Sequence, residues 1–140
     1  MKKIYIIIIL VLIVLAGGLW WRQNYQHAQF SQYKDFVILT NPIAGDYITS
    51  PVIIEGKARG VWFFEASFPI IIVDWDGLII GQGIAQAQSE WMTTDYVPFR
   101  AEISFIKSVV KNNGWIILKK DNPSGLSQND DAFEVPIVFR

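Results

Sequence analysis

From residue 62 to residue 72 every even position is apolar (Trp62, Phe64, Ala66, Phe68, Ile70 and Ile72), whereas the odd positions include Glu65, Ser67 and Pro69. Successive side chains of a strand point to opposite faces, so a period of two predicts extended chain with one face in a core and one in water. The same alternation recurs at Phe99, Ala101, Ile103 and Phe105, and again at Phe133, Val135, Ile137 and Phe139. Between these runs stand turn formers: Asn41-Pro42, Ala44-Gly45-Asp46, Asp74-Trp75-Asp76-Gly77 and Asn112-Asn113-Gly114. Gly77 suits a tight reversal because it takes a positive φ at little cost. Pro69 donates no ladder hydrogen bond and so predicts an edge, a bulge or a crossing between sheets.

Residues 36–40, 52–58, 61–73, 78–88, 99–105, 115–119 and 133–139 are thus expected as strands, with residues 89–98 an irregular crossover. No sustained period of 3.6 occurs beyond residue 36. Strands at this spacing predict an all-β fold, a seven-stranded antiparallel sandwich of immunoglobulin-like type, with a small closed barrel as the alternative.

A different pattern precedes this domain. The chain from Ile4 to Trp21 is nearly continuous Ile, Leu and Val, preceded by Lys2 and Lys3 and closed by Leu19, Trp20 and Trp21. As a helix rising roughly 1.5 Å per residue it would span about 27 Å, close to the ~30 Å of a bilayer's hydrocarbon core. The lysines favour a cytoplasmic N-terminus, and paired tryptophans suit a headgroup layer. Residues 1–21 are therefore expected as a transmembrane anchor, with Ala16-Gly17-Gly18 offering the alternative of a cleaved signal peptide. Residues 22–35 read as a glutamine-rich polar connector and residues 36–140 as the domain. Either way the domain is expected outside the cytoplasm, on a single-pass membrane protein or secreted if the segment is cleaved.

The chain of 140 residues contains no cysteine and a single histidine, His27, in the connector. Disulfides, thiolate nucleophiles, lipid attachment through cysteine and histidine triads are thereby excluded from the domain. Setting aside Lys2 and Lys3, 10 basic residues face 13 acidic ones, a net charge near −3 with no basic run. That balance argues against nucleic acid or anionic lipid as a partner. Asp74 and Asp76 flank Trp75 in a turn and read as turn formers, because a hairpin tip lacks the cleft that paired-carboxylate chemistry needs. Residues 121–131 are dense in oxygen donors, which suggests a calcium site using Asp121, Asp130 and Asp131. A solvated loop, with Lys119 and Lys120 pairing with those aspartates, is the simpler alternative. Glu65 is expected to serve solubility or to pair with Arg59 or Arg100. Phe63, Trp75, Trp91 and Tyr96 fall on the outer register or in connections and are the candidate binding aromatics. Trp62, Phe64, Phe68 and Trp115 are assigned to the core. No cofactor is expected.

The order of these features resembles a known family. Asn41-Pro42, Ser50-Pro51-Val52, Glu55-Gly56-Lys57-Ala58, Trp62-Phe63-Phe64-Glu65-Ala66, the 74–77 turn, the 99–105 strand and Glu134-Val135-Pro136-Ile137 are similar to the immunoglobulin-like domain family of bacterial spore germination. The resemblance covers residues 37–139. It implies an exported seven-stranded sandwich, attached to a membrane anchor or to other envelope modules, with a binding or scaffolding role and no catalytic residues. A non-catalytic, membrane-tethered module of the bacterial cell envelope is thus expected, its partners the membrane through the N-terminal helix and an envelope protein or cell-wall glycan. The alternative is a carbohydrate-binding module for peptidoglycan or a surface glycan, which requires a row of coplanar exposed rings.

Overall fold

The structure, a computed structural model, describes residues 13–20 and 35–140. The chain divides into two units, Met1–Tyr33 and Lys34–Arg140. In the first, residues 13–20 are helical, and Leu19 and Trp20 on that helix are exposed. Among the described residues no helix is long and apolar enough to cross a membrane. Ile4 and Trp21, and with them most of the expected anchor and connector, lie outside the described residues.

The second unit is built from eight strands: β1 Val37–Asn41, β2 Tyr47–Ile48, β3 Val52–Arg59, β4 Ser67–Asp74, β5 Ile79–Ala87, β6 Tyr96–Ile103, β7 Asn113–Lys119 and β8 Ala132–Phe139. They form one curled sheet in the order β1-β3-β6-β5-β4-β7-β8-β2. The link between β5 and β6 is short, with only Gln86 opposite Arg100 and Ala87 opposite Phe99, plus a bridge from Gly81 to Phe105. Two leaves, β1-β3-β6 and β5-β4-β7-β8-β2, therefore fold over a shared core.

The expected count of seven strands is corrected to eight. The added strand, β2, has two residues, too few to show a period, and it runs parallel to β8 rather than antiparallel. Its position is set by β8: Val138 N–H donates to the Asp46 carbonyl and Arg140 N–H to that of Ile48, each at 2.9 Å.

The core follows the alternation in most strands. Val52, Ile54 and Ala58 of β3, Val97, Phe99, Ala101 and Ile103 of β6, and Phe133, Val135, Ile137 and Phe139 of β8 are all buried. Each large apolar side chain so removed from water contributes roughly 1.5–3 kcal/mol before entropy is counted. Trp115, assigned to the core from its sequence position, instead lies half-buried on the other face of β7, between buried Gly114 and Ile116.

The expected strand over residues 61–73 is two elements. A single turn of 3₁₀ helix, Gly60–Trp62, precedes β4. Between them Phe64 and Ser67 exchange backbone hydrogen bonds of 3.0 and 3.1 Å across a two-residue loop. Glu65 and Ala66, the loop residues, have φ of 49° and 62°. The reversal shifts the register, so that Phe63 is buried and Phe64 is 40% exposed. Phe64 and Ala66 thus leave the core face, and β4 keeps only Phe68, Ile70 and Ile72 of the even positions.

Positive φ at both central positions is the pattern that Asn-Gly satisfies best in a hairpin, and it costs an ordinary L-residue about 1–2 kcal/mol. The double substitution Glu65→Asn with Ala66→Gly should therefore raise stability by roughly 1 kcal/mol, after the extra unfolded-chain entropy of glycine is deducted. A urea midpoint that stays put or falls would count against this turn.

Pro69 sits where β4 is paired on one side only. It faces Ile84 of β5, and the pairing with β7 begins at Ile70. The β4–β5 turn matches its sequence: Gly77 has φ 83°, and Oδ1 of buried Asp74 accepts the N–H groups of Asp76 and Leu78 at 3.0 Å each. Asp74 is thus a turn former whose carboxylate is occupied by backbone donors.

Candidate functional site

Antiparallel pairing gives the domain two ends. β3 runs from Val52, opposite Ile103, to Arg59, opposite Tyr96. The chain enters at the Arg59 end, where Arg59 donates from Nε to the Asp35 carbonyl (3.3 Å) and from Nη1 to that of Thr94 (3.2 Å). Tyr96 donates its hydroxyl to the same Asp35 carbonyl at 2.9 Å, and the Arg59 guanidinium lies 4.0 Å over the Tyr96 ring. These contacts fix the first described residue of the domain to its sheet.

At the other end lie the β4–β5 turn and the 104–112 loop. Ile106 N–H donates to the Ile80 carbonyl (3.2 Å), Asp74 pairs with Gly114, and Lys111 Nζ stands 4.2 Å over the Trp75 ring.

The four aromatic candidates do not share a surface. Phe63 is only 4% exposed and packs edge-on against Phe68 at 5.1 Å, so its expected exposure is corrected; the 65–66 turn rotated it inward. Trp75 is at the far end, whereas Tyr96 is at the near end. The near end also holds Trp91, whose carbonyl closely approaches Gly60. Both Trp91 and Tyr96 are half-buried. One face of Trp75 is covered by Lys111 and one face of Tyr96 by Arg59.

The oxygen-rich loop satisfies itself. Asn122 Nδ2 donates to Asp130 Oδ1 (2.7 Å) and to the Leu126 carbonyl (2.9 Å), and Asn129 Nδ2 to Ser124 Oγ (2.9 Å). Asp131 Oδ1 accepts from Ala132 N–H at 3.0 Å, and Asp121 is tied by its own N–H to the Trp62 carbonyl. Among the described residues no group of three or more acidic or histidine side chains that could hold a metal ion is formed. Asp121, Asp130 and Asp131 are thus not brought together as a calcium site would need. The ion pair among the described residues joins Arg100 to Glu55, cross-strand neighbours on the outer face of β3 and β6, and involves none of Lys119, Lys120 and Glu65. With both partners half-exposed it adds about 0.2–1 kcal/mol.

The most exposed aliphatic side chains among the described residues lie outside the aromatic candidates. In the 104–112 loop Ile106 is 85% and Val109 98% exposed, with Val110, Leu78 and Ile79 also well exposed at the same end. The available signal was the run Ile106-Lys107-Ser108-Val109-Val110-Lys111, which interleaves aliphatics with lysines and fits no strand period. Residues 107–113 border an open depression rather than an enclosed cavity.

Compared with known families, residues 36–127 match the immunoglobulin-like domain of bacterial spore germination. The chain belongs to this family. The match takes in β1 through β7, and β8 lies beyond it yet supplies Phe133, Val135, Ile137 and Phe139 to the core. No curated protein and no solved structure matches the chain. The immunoglobulin-like domain of this family is a non-enzymatic fold type.

Proposed function

We propose that this immunoglobulin-like domain is a non-catalytic binding or scaffolding module of the bacterial cell envelope, held outside the cytoplasm by the apolar run that starts at Ile4. The supporting observation is a spore-germination-type immunoglobulin-like domain that follows, after a polar connector, an apolar segment of membrane-spanning length behind two lysines. Tethering confines the domain near one surface and raises its effective concentration for partners there. The glycan-binding alternative has less support. It needs coplanar free rings, whereas Phe63 is buried, Trp75 lies far from Tyr96, and cations cover a face of each of those two rings.

Fractionation of a bacterium producing the full chain tests the proposal. The protein is expected in the membrane fraction at intact mass, with the domain digested by protease added outside the cell. A mass lower by about eighteen residues would replace the anchor with a cleaved signal. Recovery in the cytoplasm, protected from external protease, would overturn it.

A further inference from the structure

The geometry points to a second membrane contact, at the end of the domain opposite its point of attachment: the aliphatic tip of the 104–112 loop inserts into an anionic lipid surface. Ile106 and Val109 are almost bare, and Val110 and Leu78 flank them with most of their surface in water. Exposed aliphatics scattered singly are ordinary, but here several converge where two connections meet, stitched by the Ile106–Ile80 hydrogen bond. Lys107 and Lys111 bracket Val109 and Val110 in sequence, and Lys111 is held against Trp75.

An apolar centre flanked by cations and an amphipathic ring matches a leaflet, where acyl chains receive the aliphatics and phosphates receive the ammonium groups. The charge complementarity is local. Although acidic residues outnumber basic ones in the chain, this loop carries two lysines and no carboxylate between Ile106 and Asn113, and of the two carboxylates in the adjoining turn Asp74 is buried on backbone donors, leaving Asp76 as the exposed one. A loop tip so bare also suits a fluid receiving phase better than a flat protein surface, which would leave much of Val109 uncovered.

Position does not forbid the contact. An eight-residue strand such as β3 is about 24 Å long, and residues 22–35 set an upper bound of roughly 45–50 Å on the reach of the chain before the domain. The inference goes beyond the envelope-module proposal and is tested without the N-terminal run.

The unit Lys34–Arg140 encloses its own buried core and is the part to use. It should sediment with vesicles of equimolar phosphatidylglycerol and phosphatidylcholine, more weakly with phosphatidylcholine alone, and less as salt rises. Val109→Asp with Val110→Asp should weaken binding to the anionic vesicles roughly tenfold or more, since both burial and charge then oppose insertion. Lys107→Gln with Lys111→Gln should weaken it by about fivefold per lysine and flatten the salt dependence. All these positions are at the surface, so thermal melts of the variants should overlay the parent's. Absence of sedimentation at low salt, indifference to phosphatidylglycerol, or undiminished binding by the aspartate variant overturns the inference and leaves the tip as a surface for a protein partner. Because the fragment lacks the apolar run, these outcomes are independent of where the full chain fractionates.

Discussion

Replacing Phe68 by alanine should lower the stability of the domain by about 3–5 kcal/mol, a large fraction of the 5–15 kcal/mol typical of a whole domain. Phe68 is fully buried on β4, and its ring meets Phe63 at 5.1 Å and Phe99 at 4.9 Å, both edge to face. Phe99 belongs to β6, on the other leaf, and the two leaves share few backbone pairs at the β5–β6 link. Side-chain packing across the interior therefore holds the leaves together where the hydrogen-bond ladder is thin. Alanine would remove two ring contacts of roughly 0.5–1.5 kcal/mol each together with the burial of the ring itself, and leave a cavity. Urea unfolding of the Lys34–Arg140 unit, followed by tryptophan emission, gives the loss directly. A decrease below about 1 kcal/mol would mean that Phe68 does not bridge the leaves.

Gly114→Ala should cost about 3 kcal/mol, although it adds a single methyl group. A Cβ at Gly114 would overlap the Val73 carbonyl oxygen of β4 and lie 2.7 Å from Cε2 and Cζ of Phe139. Neither neighbour yields easily. The Val73 carbonyl belongs to the strand paired with β7, and the buried Phe139 ring rests 5.3 Å from that of Phe105. Combining Gly114→Ala with Phe139→Leu should cost less than the sum of the two single losses, because the smaller side chain vacates part of the contested space. Strict additivity in denaturant titrations would show that the ring is not the obstacle. Gly77→Ala forms a useful contrast: a Cβ there meets nothing within 4 Å, so its penalty arises from φ 83° alone.

How far the sequence exposed this architecture differs from strand to strand. β3, β6 and β8 were legible because each buries one face and wets the other, which writes a period of two into the chain. The 61–73 segment shows where that inference breaks. Its apolar even positions continue unbroken through a reversal, because Glu65 and Ala66 adopt positive φ without the Asn or Gly that normally signals it. Phe63 and Phe64 exchange faces as a result, and one expected binding residue becomes core. Asn112-Asn113-Gly114 misled in the opposite sense. It reads as a turn, yet Asn113 and Gly114 begin β7, and the glycine is required by the Val73 carbonyl and the Phe139 ring rather than by a bend.

The candidate surface was less legible than the fold. Composition picked out aromatic rings, and the structure buries Phe63, leaves Trp91 half-buried and places cations over Trp75 and Tyr96. The aliphatic tip was invisible to composition because valine and isoleucine between strands look like core residues until tertiary packing leaves them uncovered.

The sequence by itself determined the all-β class, the family, most of the core-facing residues and the turn at Gly77, since these depend on local periodicity and on φ preferences that a short window carries. Tertiary structure decided the parallel β2–β8 pair, the thin β5–β6 link that curls one sheet into two leaves, the inward rotation of Phe63, and the gathering of Trp75, Lys111 and the 104–112 aliphatics at one end. The rotation of Phe63 follows from a local reversal that its residue types do not signal, and the others depend on contacts between residues far apart in the chain, whose energies are settled only when the strands are brought together.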